Sequence, residues 1–447
     1  METVIDKIKV EKYSSYKNSG AEWLGDIPTH WNTLSNKNIF TLKKNQVGKK
    51  SSDYVLLSLT LNGVIKRDME NPQGKFPAEF NTYQEVKKGD FIFCLFDVEE
   101  TPRCVGLSDF DGMITGAYTV MEPNDNFDRN FLYYFYLNLD ADKRLKPLYT
   151  GLRNTISKEN FFSFKSFVPP KEEQTAIAAF LDRKTALIDQ AIDIKQKQIE
   201  LLKERRQILI HKAVTRGLNP NVKMKDSGVE WIGQIPIHWH LKTLKFLKAN
   251  IKNAFVDGPF GSNLKSEHFI EDGNVYVVES GFITTGVFIN KVFKTISEKH
   301  YQTIKRSTCN EGDVIIAKIG ANYGMAAELP LLDKKAVVSG NSLKITLDNS
   351  KILNILFVKL LGLSKTLGGF EDIVNASAQP ALSLGGLNNL KLPIPPIDEQ
   401  PLIAKHIDNI ESKIATAISL KEQEIEKLKE YKATLINSAV TGKIKVC

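Results

Sequence analysis

The residues best equipped for chemistry in this sequence are cations and carboxamides set in turn-rich segments. In the first half they are Lys43, Lys44, Lys49, Lys50, Asn62, Lys66, Arg67, Gln73, Lys75, Arg153 and Asn154. In the second half they are Asn263, Lys265, Lys318, Asn322, Tyr323, Asn341 and Gln379. Arginine and lysine bind phosphates or guanine edges, and asparagine and glutamine can pair with adenine. These are the candidate nucleic-acid contacts, although the same residue types cover the surface of any protein. The net charge is +8, from 60 basic and 52 acidic residues. That excess permits a nucleic-acid partner without requiring one.

Catalytic patterns are not found. No G-x-x-x-x-G-K-[ST] loop for an ATPase occurs. Gly258-Pro259-Phe260-Gly261 lacks the strand context of a dinucleotide fingerprint and reads as a tight loop. There is no Asn-Pro-Pro-aromatic segment of the kind amino-methyltransferases carry. His30 and His238 have no clustered carboxylate or cysteine neighbours in sequence, so both read as packing residues. Asp182-Arg183-Lys184 and Glu411-Ser412-Lys413 echo nuclease triplets but fall in helical stretches, where they read as solvated faces. Cys94, Cys104, Cys309 and Cys447 show no C-x-x-C spacing, so no metal site is expected, only free thiols in a reducing compartment. The start, METVIDKIKVEK, lacks the apolar core of a signal peptide, and no apolar run approaches the roughly 18 residues of a membrane span. A cytoplasmic protein without a membrane partner is the expectation.

What must position the candidate contacts is a repeated scaffold. Residues 17–31 (KNSGAEWLGDIPTHW) and 225–239 (KDSGVEWIGQIPIHW) are identical at 10 of 15 positions, at an offset of 208. All 4 tryptophans, Trp23, Trp31, Trp231 and Trp239, lie in these segments. A second pair, FVPPKEEQTAIAAFLD from Phe167 and PIPPIDEQPLIAKHID from Pro393, has an offset of 226. It runs on to KAVTRG and SAVTGK. Diverged middles between preserved ends suggest two different recognition tasks on one scaffold.

Each preserved tail reads as a long helix. Pro169-Pro170 and Pro395-Pro396 suit helix starts, and Glu172, Glu173, Asp398 and Glu399 complement the positive end. Gly217 and Pro220 end the first helix, and Gly442 ends the second. Apolar residues at fours and threes, Ile188, Ile192, Ile199, Leu202, Leu209 and Ala213, recur as Ile414, Ile418, Ile425, Leu428, Leu435 and Ala439. These are core positions of a coiled coil. Lys195 and Arg206, like Lys421 and Lys432, occupy cationic slots that either fix register or reach out to solvent. A helix of this length, about 67 Å, needs a partner, and a pseudo-two-fold would supply the other copy, antiparallel. The end near Gly442 should then lie near the first domain's start at Lys17.

The middles read as strands and turns, VLLSLT, DFIFCLF and ITGAYTVM, then NVYVVES, GDVIIAKIG and AVVSGNSLKIT, followed by apolar helices NFLYYFYLNL and ILFVKLLGL. The expected fold is α/β (α+β): two mixed α/β domains related by a pseudo-two-fold and joined by two long antiparallel helices forming a coiled coil. The expected boundaries are an extension at 1–16, a domain at 17–170, a spacer helix at 171–217, a linker at 218–224, a second domain at 225–396 and a second spacer helix at 397–447.

The doubled SG-x-EW-x-G-x-IP-x-HW segment, the doubled PP-x-x-EQ-x-x-IA helix start and the two spacer helices resemble the specificity (S) subunits of type I restriction-modification systems. The resemblance covers nearly the whole chain. LSLTLNGVIKRD, GKFPAEFNTY and DVEETPRCVGLS look like one recurrent type of target-recognition domain, and DGPFGSNLK resembles another. The resemblance implies a non-catalytic subunit whose two domains each read half of a bipartite site on double-stranded DNA. It implies that the helices set the gap and dock two methyltransferase subunits through the core positions named above, with restriction subunits where present. S-adenosylmethionine, ATP and magnesium would then belong to the partners, and adenine would be the methylated base. Three other readings remain: the recognition subunit of a fused restriction-methylation system, a coiled-coil scaffold without DNA binding, and an enzyme with an unusual active site.

Overall fold

The computed structural model describes residues 11–68, 80–283, 286–371, 373–375 and 380–446. The chain divides into two compact units, Met1–Lys197 with Lys421–Cys447, and Gln198–Leu420. Each unit therefore holds one α/β middle and a portion of both long helices.

The first unit begins with β1 (Tyr16–Asn18), β2 (Asp26–Pro28), β3 (Asn32–Ser35), β4 (Phe40–Leu42), β5 (Leu57–Thr60) and β6 (Gly63–Lys66). It continues with β7 (Gln84–Val86), β8 (Phe91–Phe93), β9 (Val105–Leu107), β10 (Gly112–Ile114) and β11 (Thr119–Pro123). Then come α1 (Arg129–Ala141), β12 (Tyr149–Thr150), β13 (Thr155–Ile156), α2 (Lys158–Ser163), β14 (Lys165–Val168) and the long α3 (Lys171–Arg216). An antiparallel sheet in the order β4-β11-β8-β9 forms its centre. Asp128 caps α1 through its side chain, which accepts from Phe131 N at 3.0 Å. The buried face of α1 (Phe131, Leu132, Phe135, Tyr136, Leu139) packs with Phe40, Phe91, Phe93 and Phe161. Edge-to-face contacts such as Phe40 on Phe91, 5.2 Å between ring centres, account for much of this core.

The second unit begins with β15 (Met224–Asp226), β16 (Gln234–Pro236), β17 (His240–Thr243), β18 (Phe255–Asp257), β19 (Phe269–Ile270), β20 (Val275–Val278) and β21 (Lys294–Ile296). It continues with α4 (Glu298–Ile304), β22 (Thr308–Cys309), β23 (Val314–Ala317), β24 (Ala326–Glu328), β25 (Lys335–Val338) and β26 (Ser342–Ile345). Then come α5 (Asn354–Thr366), β27 (Val374–Asn375), β28 (Ala381–Leu382), α6 (Leu384–Asn389), β29 (Lys391–Ile394) and the long α7 (Gln400–Val440). Its central sheet runs β18-β26-β23-β24, the same order as in the first unit. A parallel pairing of β20 with β25 matches an isolated parallel bridge, Leu56 to Met113, in the first. The two middles thus share a topology that their sequences scarcely reveal.

The doubled motifs meet in the same way in both units. Glu173, at the start of α3, accepts from Trp31 Nε1 at 3.0 Å and bonds His30 Nε2 at 2.7 Å. Glu399, just before α7, accepts from Trp239 Nε1 at 3.1 Å and bonds His238 Nε2 at 2.6 Å. This corrects the packing role expected of the histidines: both are exposed, and each helps tie the tryptophan segment to a helix start. The adjoining glutamines also match. Gln174 accepts from Asp128 N and Gln400 accepts from Leu353 N, joining each long helix to the residue that precedes α1 or α5. Replacing Glu173 by alanine is expected to destabilise the first unit by about 1–3 kcal/mol, since the buried indole N–H loses its acceptor. A shift of that unit's denaturant midpoint checks this; an unchanged midpoint would show that the clamp contributes nothing.

The long helices pair antiparallel within the first unit. Asp189 bonds Lys432 at 2.7 Å and Lys195 bonds Glu424 at 2.5 Å, so the numbering rises on α3 as it falls on α7. Lys421 also reaches Glu424, at 3.1 Å. Three of the four cationic slots therefore carry ion pairs. Ile188, Ile199, Ile414, Ile425 and Leu435 are buried, while Ile192, Leu202, Leu209, Ile418 and Leu428 are half-buried. Toward the end of α3 burial passes from Leu209 to Ile210, Ala213 and Val214. A helix of 3.6 residues per turn drifts against a strict seven-residue repeat.

Both helices end on a left-handed glycine, Gly217 and Gly442, each with φ of +70°. A Cβ on Gly217 would lie 3.1 Å from the Trp239 ring, and one on Gly442 would lie 2.4 Å from Pro28 and 3.3 Å from Trp31. The chain end therefore seats in the first unit. Lys445 N donates to Glu11 O at 2.8 Å, and Ala439, Val440 and Ile444 join the Trp31 core. The end near Gly442 does lie beside the start of the first domain.

Candidate nucleic-acid interface

In the first unit β4 and β8 are both antiparallel to β11, so they finish at the same end of the sheet. Lys44, exposed, follows β4 there. The chain leaving β8 is bonded to the hairpin β12–β13: Ile156 N donates to Leu95 O, Asp97 N to Arg153 O and Val98 N to Asn154 O, at 2.8, 3.0 and 3.3 Å. Arg153 returns the contact through its side chain, with Nε donating to Asp97 Oδ1 at 3.0 Å. This guanidinium holds the Asp97 carboxyl below its ordinary pKa. Asn154 takes φ of +45°, a conformation asparagine tolerates better than most residues. Asn62, on the β5–β6 turn, reaches this end too, because Arg103, just before β9, donates to Leu61 O at 2.8 Å.

Not all candidates converge. Lys43 is a structural cation: its ammonium lies 2.9 Å from the carboxylate of buried Asp90. Burial raises the Asp90 pKa, while Lys43 and the Lys87 N–H act to hold the charged form. Lys66 ends β6 and Arg67 follows it, at the end opposite the Asn62 turn, with Lys66 Nζ 4.8 Å from the centre of the Phe110 ring. Lys49 and Lys50 sit exposed in a short 3-10 turn. Gln73, Lys75, Gln379 and Cys447 lie outside the described residues.

In the second unit β18 and β23 are both antiparallel to β26 and again finish together. Here the described candidates do converge. Asn263 and Lys265 lie on the exposed loop that leaves β18. Lys318 follows β23, and its N–H donates to Asn341 O at 2.9 Å, just before β26. Asn322 and Tyr323 form the β23–β24 turn, closed by Gly324 N to Ala317 O at 2.8 Å. Asp257, at the end of β18, gathers two cations: Arg306 Nη2 at 3.2 Å and Lys318 Nζ at 3.6 Å. Arg306 and Arg103 escaped the sequence reading because nothing local marks them. Asp257 and Arg306 are 49 positions apart.

Among the described residues no group of three or more His, Cys, Asp or Glu could hold a metal ion. Cys94, Cys104 and Cys309 are buried, and burial raises all three thiol pKa values, that of Cys104 to about 12. They remain protonated and are poor nucleophiles. Of the triplets, Asp182 accepts from Tyr134 Oη at 2.8 Å and Glu411 pairs with Lys359 at 2.6 Å, both packing contacts between helices. Among the described residues no helix is long and apolar enough to cross a membrane.

Comparison with known proteins follows the same line. The family model for the type I restriction modification DNA specificity domain matches residues 105–204 and 261–430. The type I restriction enzyme MjaVIII specificity subunit of Methanocaldococcus jannaschii is 25% identical over 346 residues, 75% of each chain. Among solved structures, a chain of a type I R-M system, studied for complex assembly and conformational transition, aligns with a TM-score of 0.65 at 14% identity, over 93% of this chain and 98% of that one. The HsdS subunit from Thermoanaerobacter tengcongensis aligns with a TM-score of 0.54 at 15% identity, over 94% of this chain and 98% of that one.

Proposed function

Because the chain belongs to the family of type I restriction-modification DNA specificity subunits, we propose that it is the sequence-reading, non-catalytic member of a complex that methylates adenine. Each α/β unit reads one half of a bipartite site on double-stranded DNA. The long helices set the gap between the halves and dock methyltransferase subunits, and restriction subunits where present. S-adenosylmethionine, ATP and magnesium belong to those partners, which flip the target base while this chain holds the duplex.

One observation carries this reading. Both units offer the same end of the same sheet, yet furnish it with different side chains: Lys44, Asn62, Arg153 and Asn154 in one, and Asn263, Lys265, Lys318 and Asn341 in the other. Equal scaffolds with unequal contact residues suit two readers of unlike half-sites. Cations there position the phosphates and carboxamides address base edges.

Exchanging residues 42–165 for the corresponding segment of another chain of this type is the direct test. Adenine methylation, mapped by single-molecule sequencing, is expected to show one altered half-site, with the other half and the gap retained. Changes in both halves would refute modular reading, and the absence of any chain-dependent motif would refute DNA reading itself.

A further inference from the structure

At each of these sheet ends a large apolar side chain stands in solvent among the cations. In the first unit it is Leu152, fully exposed at 106%, at the tip of the β12–β13 hairpin beside Arg153 and Asn154. In the second it is Phe260, 74% exposed, on the loop after β18. Single exposed apolar residues are ordinary on protein surfaces. These two differ in how firmly they are held and in what surrounds them.

The Leu152 turn is fixed from both sides. Gly151 and Asn154 both adopt left-handed φ, +67° and +45°. The next two backbone carbonyls, of Arg153 and Asn154, accept from Asp97 and Val98, and the Arg153 guanidinium is anchored on Asp97. The Phe260 loop is fixed by close backbone approach. A Cβ on Gly258 would fall 1.8 Å from Ser339 O, and one on Gly340 would fall 2.6 Å from Pro259 O. Asn263 N donates to Phe260 O at 2.7 Å and closes the turn. The Lys318 ammonium lies 5.6 Å from the centre of the Phe260 ring, and Arg306 stands nearby on Asp257.

We propose that Leu152 and Phe260 are apolar wedges that enter the duplex between base steps, one in each half-site. The inference rests on the DNA-reading function proposed above. An aliphatic or phenyl tip offers nothing to a phosphate, whereas the neighbouring guanidinium and ammonium groups do. Once those cations engage the backbone, the tip can leave water only by entering a groove. Apolar wedges of this kind unstack base steps and bend the duplex, so sequences that deform readily bind better. Neither side chain is packed within its own unit, so each can be changed without loss of fold.

The test uses the full-length chain and duplexes that the wild-type chain selects from a randomised pool. 2-Aminopurine, which brightens on unstacking, is placed at successive positions of each half-site. The wild type is expected to brighten the probe at one step in each half. Leu152→Ala should abolish the signal in one half only and Phe260→Ala in the other, each with a loss of affinity of about tenfold, equivalent to about 1.4 kcal/mol. Phe260→Trp should retain both signal and affinity. All variants should keep the wild-type unfolding midpoint. Specific binding without brightening, or alanine variants with unchanged affinity, overturns the wedge while leaving the DNA-reading function standing. A lowered midpoint in the alanine variants would reassign the residues to packing. Failure of the wild type to select any sequence overturns the DNA-reading function and the wedge with it.

Discussion

Replacement of Asp313 by leucine is expected to destabilise the second unit severely. Its carboxylate is buried, with only 3% of the side chain exposed, and lies 3.3 Å from the Lys344 ammonium, itself 5% exposed. Asp313 also accepts from Asn310 N at 2.8 Å and from the Thr346 hydroxyl. Removing the carboxylate leaves a cation in the sheet without an anion, at a cost of about 3–5 kcal/mol. That is a large part of the roughly 5–15 kcal/mol that holds a domain together. Circular dichroism and urea titration would read the loss. The double variant Asp313→Leu with Lys344→Met removes both charges and should recover much of it. An equally unstable double variant would mean that shape at this site, rather than charge, sets the cost. The first unit holds a matching carboxylate, Asp90, whose lysine comes from just beyond β4 instead of from β26.

Deleting the chain from Tyr431 onward is expected to unfold the first unit, although that unit's α/β segment would remain intact in sequence. The deletion removes Leu435, Ala439, Val440 and Ile444 from the core around Trp31. Full burial of a leucine, valine or isoleucine stabilises by about 1.5–3 kcal/mol each, so the loss reaches on the order of 5–9 kcal/mol. Lys432 would no longer pair with Asp189, and Lys445 would no longer bond Glu11. The readout is loss of cooperative unfolding and a red shift of tryptophan emission. A synthetic peptide covering residues 421–447, added in excess, should restore both. A truncated chain with wild-type emission and midpoint would show that the tail merely lies on the unit.

The sequence by itself determined what depends on neighbours along the chain. The two long helices follow from apolar residues at fours and threes between a Pro-Pro start and a Gly end, because a helix presents residues three and four apart on one face. The duplication follows from 10 identical positions in fifteen. Equivalent segments meet equivalent partners, so the closure of the chain end onto the first domain could be anticipated from the repeat alone.

Beyond what the repeat implied, tertiary structure decided which distant residues meet. His30 and Glu173 are 143 positions apart, so no sequence window connects them, and the histidine read as filler. Lys43 and Lys44 looked alike as neighbouring cations, yet one is held by buried Asp90 and the other faces solvent. Strand direction brought Lys318, Asn341 and the Phe260 loop to one end of a sheet, while the β5–β6 hairpin separated Lys66 from Asn62. Residue type states which bonds a side chain can make. The pairing of strands far apart in sequence decides which partner it meets, and burial decides whether that contact serves the fold or remains open to a ligand.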